Sequence, residues 1–146
     1  MVNVSVQPFE IELTTRAGVI LRADVYLPAT GQSPCPVLLA ASPYQKSLRR
    51  LPAHWVFPFI EYGPMQMYLD EGYAYVIVDV PGSGRSGGIW DPVSRAEGEA
   101  IHDAIEHVAA QPLCDGNIGM IGQSYFSFSQ WNAARTRPPH LKTIVP

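Results

Sequence analysis

Cysteine is scarce in this chain. Two occur in 146 residues, Cys35 in Ser-Pro-Cys-Pro and Cys114 in Leu-Cys-Asp-Gly, and neither has a Cys-x-x-Cys partner. No disulfide framework or metal site follows, which leaves a pair of buried or half-buried thiols in a reducing compartment, with a single bridge as the alternative. Basic runs are also missing. The ten Lys and Arg residues form nothing longer than Arg49-Arg50, and the net charge is −3. Such a chain offers no field for a phosphate backbone, so a nucleic-acid partner is not expected. No apolar segment approaches the roughly 20 residues that span a bilayer, and the N-terminus lacks a basic region followed by a long apolar stretch. A soluble, cytoplasmic protein without a membrane partner is expected. Internal repeats, linkers and low-complexity segments are absent as well. What remains is 47% apolar, enough to bury the core of one domain.

The apolar residues are arranged in short runs. Residues 9–27 alternate around Arg16-Ala17-Gly18, which predicts an antiparallel hairpin. Val37 to Ala41, Tyr75 to Val78 and Ile118 to Ile121 are too short for helices and apolar on both faces, as buried parallel strands are, and Thr143-Ile144-Val145 starts a fourth. A helix is predicted near Met65 to Glu71, closed by Gly72. A second, over Ala96 to Ala110, carries Ala100, Ile101, Ala104, Ile105, Val108 and Ala109 on one stripe and Glu99, Asp103, Glu106 and His107 on the other. The pattern predicts an α/β fold, a mostly parallel sheet with helices on both faces, entered through an N-terminal antiparallel hairpin. Residues 45–62, rich in Pro, Trp and Phe, form the one long irregular connection, and such connections often line sites.

The third buried run leads into Gly122-Gln123-Ser124-Tyr125-Phe126. A strand that delivers a serine onto a sharp turn opening a helix strains the serine backbone and exposes its hydroxyl beside the first free N–H groups of the helix. Those groups can stabilise an oxyanion, with Tyr125 N–H the nearest and the helix dipole adding favourable potential. The second donor is expected from the loop after the first central strand, Ser42-Pro43-Tyr44-Gln45-Lys46, where Tyr44 has a suitable hydroxyl. The bland alternative is that Ser124 only caps its helix. Phe126 stands where a second glycine would be usual. Its side chain must then point away from the crossing strand, with small Ser127 and Ser129 allowing the close approach.

Gly82-Ser83-Gly84-Arg85-Ser86-Gly87-Gly88 formally matches Gly-x-Gly-x-x-Gly, the basis of a dinucleotide-binding alternative. That pattern works only where its glycines open a helix. Here Ile-Trp-Asp-Pro follows and the next helix waits until about Arg95, so no cofactor is expected. A base for Ser124 is harder to find. His54 lies in the irregular connection, His102 and His107 on the amphipathic helix, and His140 after Pro138-Pro139. None occupies the Ser, acid, His order of an α/β hydrolase. His102 and His107 are five apart and share no face, so metal binding is not expected either. Asp79 at a strand end and Asp115 in a turn read as structural.

Three segments together, Ser42 to Lys46, Asp79 to Gly88 and Gly119 to Tyr125, resemble the N-terminal part of the cocaine esterase-like and X-Pro dipeptidyl-peptidase family of α/β-hydrolase serine hydrolases. The resemblance extends to Ala109 to Pro112, Cys114-Asp115-Gly116, Gln130-Trp131 and Pro138 to Lys142, and so covers nearly the whole chain. It implies that Ser124 is the acyl-accepting nucleophile, that Tyr44 donates its hydroxyl to the oxyanion, and that Tyr125 N–H is the second donor. It implies a small-molecule ester, amide or short peptide as substrate, among acyl esters, β-lactam side chains and X-Pro peptides. The family tolerates a bulky residue after Ser-Tyr, whereas Pro81 stands where an arginine is common. Family members continue with further strands, a helical cap, the catalytic Asp and His and a C-terminal jelly-roll domain, none of which lies in residues 1–146. An incomplete hydrolase domain with little turnover of its own is therefore expected. The runner-up is a catalytically silent fragment or interaction module, associating through an unpaired sheet edge near Val145.

Overall fold

Residues 6–47 and 61–146 are described by a computed structural model of the chain. Six strands, β1 (Phe9–Thr14), β2 (Ile20–Tyr26), β3 (Cys35–Ser42), β4 (Ala74–Asp79), β5 (Cys114–Ile121) and β6 (Leu141–Val145), form one sheet in the order β1-β2-β4-β3-β5-β6. The β1–β2 hairpin and the β2–β4 pair are antiparallel, and β4, β3, β5 and β6 run parallel. The hairpin turns where predicted, with Gly18 at φ 76° donating its N–H to Thr15 O at 2.9 Å. Most of the irregular connection expected over 45–62, with His54, lies outside the described residues.

Alternation along the central strands sorts the core into two faces. Val37, Leu39 and Ala41 of β3 with Val76 and Val78 of β4 meet Ile101, Ala104, Ile105 and Val108 of helix α2 (Arg95–Ala109). Ala40 of β3 with Tyr75 and Ile77 of β4 meet Met65 and Leu69 of helix α1 (Met65–Asp70). The expected stripe of α2 is the buried one. The helix starts at Arg95 because Ser94 caps it, accepting Glu97 N–H at 3.1 Å. β5 and β6 begin earlier than their apolar runs suggested. Asp115 and Asn117 are exposed residues within β5, and Cys114 already pairs with Cys35 of β3. Both thiols are buried and free, and burial pushes their pKa values up.

The parallel order places the site. From β3 the chain passes through α1 to β4 on one side, and from β4 through α2 to β5 on the other. The loops leaving the adjacent carboxyl ends of β3 and β5 therefore diverge, and open α/β sheets offer a crevice at that point. Tyr44 follows β3 and Ser124 follows β5.

Candidate active site

Ser124 links β5 to helix α3 (Tyr125–Ala134) with φ 56° and ψ −124°, and its side chain makes no capping hydrogen bond. Positive φ in a non-glycine residue costs of order 1–3 kcal/mol and persists only where the surroundings enforce it. Three contacts enforce it here. Gln123 N–H donates to Glu61 O at 2.6 Å, Gly122 N–H to Val145 O at 3.3 Å, and Gln130 Nε2 to Gly122 O at 2.8 Å. Gln130 is fully buried, and its Oε1 also accepts Val145 N–H at 2.8 Å, tying the turn to β6. Gly122 is required at φ 133°, since a Cβ there would lie 2.6 Å from Phe126 Cβ and 3.0 Å from Glu61 O. The capping alternative for Ser124 fails on this geometry, because its exposed side chain makes no capping hydrogen bond.

Phe126 is buried and turns to the α1 face, packing edge-on against Tyr44 and Tyr62 with ring centroids 5.8 and 6.0 Å away. The close approach to β3 falls to Ser129, whose hydroxyl donates to Ala41 O at 2.6 Å. Ser127 is only partly buried.

Tyr44 stands edge-on to Tyr125 as well, at 6.1 Å. Its loop is pinned at two places. Lys46 N–H donates to Asp79 Oδ1 at 2.7 Å, and the buried Lys46 ammonium donates to Asp24 at 2.7 Å and Glu10 at 2.6 Å. Burial alone would lower the Lys46 pKa, but these carboxylates outweigh it and hold the pKa above its ordinary value. Asp79 also accepts Arg85 N–H at 3.2 Å, and a Cβ on Gly84 would lie 2.0 Å from its Oδ2. The glycine-rich segment is thus a loop folded on Asp79, not a helix opening. Burial raises the Asp79 pKa against the opposing effect of those N–H groups. Pro81 is buried beside Gly88.

Tyr125, whose N–H is the first of α3, is anchored through its hydroxyl, which donates to Glu97 Oε1 at 2.6 Å and accepts Trp90 Nε1–H at 3.1 Å. Burial and the Glu97 carboxylate push the phenol pKa up to about 12. Glu97 is buried and also accepts Val93 N–H and Asn132 Nδ2–H, which locks the start of α2 to the start of α3.

The histidines lie elsewhere. His102 Nδ1 is 3.0 Å from Thr136 Oγ1, and His140 Nδ1 is 2.7 Å from Glu106 Oε2, just before the amino end of β6 and across the sheet from Ser124. His107 lies in the last turn of α2. Among the described residues no group of three His, Cys, Asp or Glu side chains could hold a metal ion. Asp115, expected in a turn, lies instead at the start of β5, where its carboxylate accepts Asn117 N–H. The structure therefore brings together Ser124, Tyr125 and Tyr44, and adds Glu61, Glu97 and Gln130. The Ser94-x-x-Glu97 spacing carried a signal for Glu97, and Gln130 was visible only as part of a resemblance. Nothing in the sequence around Glu61 marked it.

A sheet in the order β1-β2-β4-β3-β5-β6, with a strained serine between its fifth strand and the following helix, is the framework of an α/β hydrolase. The comparisons with known proteins agree. The family model described as X-Pro dipeptidyl-peptidase (S15 family) matches residues 17–146, and the chain belongs to that family. It is 35% identical over 135 residues to a cocaine esterase from a Rhodococcus strain, covering 90% of this chain and 21% of that protein. It is 30% identical over 151 residues to a putative serine esterase of Mycobacterium bovis, covering 92% and 23%. A CocE/NonD family hydrolase from Staphylococcus aureus superposes with a TM-score of 0.79 at 28% identity, over 94% of this chain and 26% of that one. An α-amino acid ester hydrolase superposes with a TM-score of 0.77 at 25% identity, over 99% and 26%. The chain spans 21% to 26% of the length of these relatives. No helix among the described residues is long and apolar enough to cross a membrane.

Proposed function

We propose that this protein is a serine hydrolase that cleaves ester or amide bonds through an acyl-enzyme on Ser124. The observation that carries the proposal is the backbone of Ser124, held at positive φ with its side chain withdrawn from capping. Such strain has no structural benefit, and it serves to present a nucleophile. Ser124 Oγ attacks the substrate carbonyl carbon, its proton passes to a base, and the carbonyl electron pair becomes an oxyanion. Tyr125 N–H and the Tyr44 hydroxyl receive that charge, while the leaving group departs with a proton and water later releases the acid. The relatives' names suggest acyl esters, α-amino acid esters and X-Pro peptides as substrate classes.

The acid and histidine of the triad belong, on this proposal, to parts of the protein beyond residues 1–146, along with later strands, cap and jelly-roll domain. His102 and His140 are engaged away from Ser124. Residues 1–146 alone should then show only the weak acceleration left by binding and oxyanion stabilisation. The test is covalent labelling of the native, full-length protein with a fluorophosphonate, followed by peptide mapping. Phosphonylation at Ser124, absent in Ser124→Ala, is expected. Labelling that survives Ser124→Ala would overturn the proposal.

A further inference from the structure

Glu10 and Asp24 stand directly opposite each other on β1 and β2. Two carboxylates so paired repel and weaken a hairpin, so the hairpin's own stability does not account for them. The Lys46 ammonium bridges the two, 2.6 Å from Glu10 Oε2 and 2.7 Å from Asp24 Oδ1, with its side chain only 3% exposed. Arg22 and Arg85 also reach Glu10, at 3.5 and 3.1 Å, whereas buried Asp24 pairs with Lys46. Burying such a cluster sacrifices hydration that well-packed apolar side chains would not. The hairpin thus builds a socket for one cation of the loop after β3, and that cation stands two residues from Tyr44.

Between them lies Gln45 at φ 62°. This left-handed conformation is unfavourable for glutamine and persists only where its neighbours hold it. On one side Tyr44 N–H donates to Ser42 Oγ at 3.3 Å, and on the other Lys46 N–H donates to Asp79 Oδ1 at 2.7 Å. The turn sets the direction in which the Tyr44 side chain leaves the main chain, and the ring then rests edge-on against Tyr125 and Phe126.

We propose that Lys46 is a positioning residue for the reaction, its ammonium, seated between Glu10 and Asp24, holding the strained Gln45 turn that aims the Tyr44 hydroxyl at the oxyanion. This rests on the assignment of Tyr44 as an oxyanion donor. A donor serves developing charge only when it is aimed beforehand, and a displacement of about 1 Å costs as much as ~100-fold in rate. The N-terminal hairpin, which carries none of the residues gathered around Ser124, contributes to catalysis through this one cation.

The experiment is steady-state hydrolysis of an activated ester by the native, full-length protein as wild type, Lys46→Met, Tyr44→Phe and the double variant. Active sites are counted by fluorophosphonate labelling taken to completion, so that unfolded protein does not enter kcat. Lys46→Met should lower kcat about tenfold with KM unchanged, and by no more than about twofold in the Tyr44→Phe background. A merely structural lysine would show no such dependence on the Tyr44 hydroxyl. The same loss in both backgrounds would overturn the proposal, as would a Lys46→Met kcat equal to that of the wild type. If Lys46→Met does not fold, Glu10→Gln decides, since it leaves Asp24 as the counter-charge. It should lower kcat about threefold when Tyr44 is intact and leave it unchanged in the Tyr44→Phe background, and an unchanged kcat with Tyr44 intact would overturn the proposal. Tyr44→Phe with the wild-type kcat would remove the donor assignment and the positioning role with it. A Tyr44→Phe loss that is uncoupled from Lys46 would remove the positioning role alone.

Discussion

Replacing Ser124 by glycine should make the protein more stable than replacing it by alanine. Both variants lose the hydroxyl, so that loss cancels between them. What differs is the backbone at φ 56° and ψ −124°. Alanine keeps the strain of a Cβ at positive φ, about 1–3 kcal/mol, whereas glycine adopts such angles freely. Glycine gives back about 0.5–1 kcal/mol through the greater freedom of its unfolded chain. The balance favours glycine by roughly 1 kcal/mol, a displacement of the urea midpoint with unchanged slope. For a domain of this size the same balance raises the melting temperature by about 2–4 °C. Equilibrium urea unfolding of the two variants side by side is the assay. An alanine variant as stable as the glycine variant, or more so, would refute the idea that the elbow stores strain for the sake of the nucleophile.

Other outcomes follow from the supports around the elbow. Gln130→Leu removes the partner of Gly122 O and Val145 N–H together and should cost about 3 kcal/mol in urea unfolding, since each orphaned group costs 1–3 kcal/mol. Lys46→Met leaves buried Asp24 without its cation and should cost roughly 3–5 kcal/mol. The pKa of Lys46 is raised on folding, so the stability it adds is fully present below pH 10.5 and is lost as pH rises through the folded value. Stability curves against pH should show this alkaline loss in the wild type and not in Lys46→Met. Glu10, lowered chiefly by its hydrogen bond to Lys46, adds stability above pH 4.5 that disappears as pH falls. Tyr44→Phe should lower kcat on an activated ester roughly 100-fold or more with little change in KM, if its hydroxyl serves the oxyanion. Steady-state kinetics on the full-length protein measures this.

The sequence by itself determined the elements and the position of the serine. Short apolar runs bounded by turn residues became β3, β4 and β5 because strands buried on both faces need continuous apolar side chains. The stripe of α2 followed from the helical period, and Gly122 before Ser124 was visible because only glycine fits between Phe126 and the Glu61 carbonyl. Three spaced motifs identified the family, since their order and spacing are carried by the chain itself. Strand order and site environment were decided in three dimensions. The adjacency of β3 and β5, which puts Tyr44 beside Tyr125 and Phe126, depends on crossovers that no local pattern encodes. Glu61, Glu97 and Gln130 are separated from Ser124 in sequence or hidden within ordinary helical spacing. Burial turns Glu97 and Gln130 into obligatory hydrogen-bond partners, whereas Glu61 holds the elbow through its main-chain carbonyl.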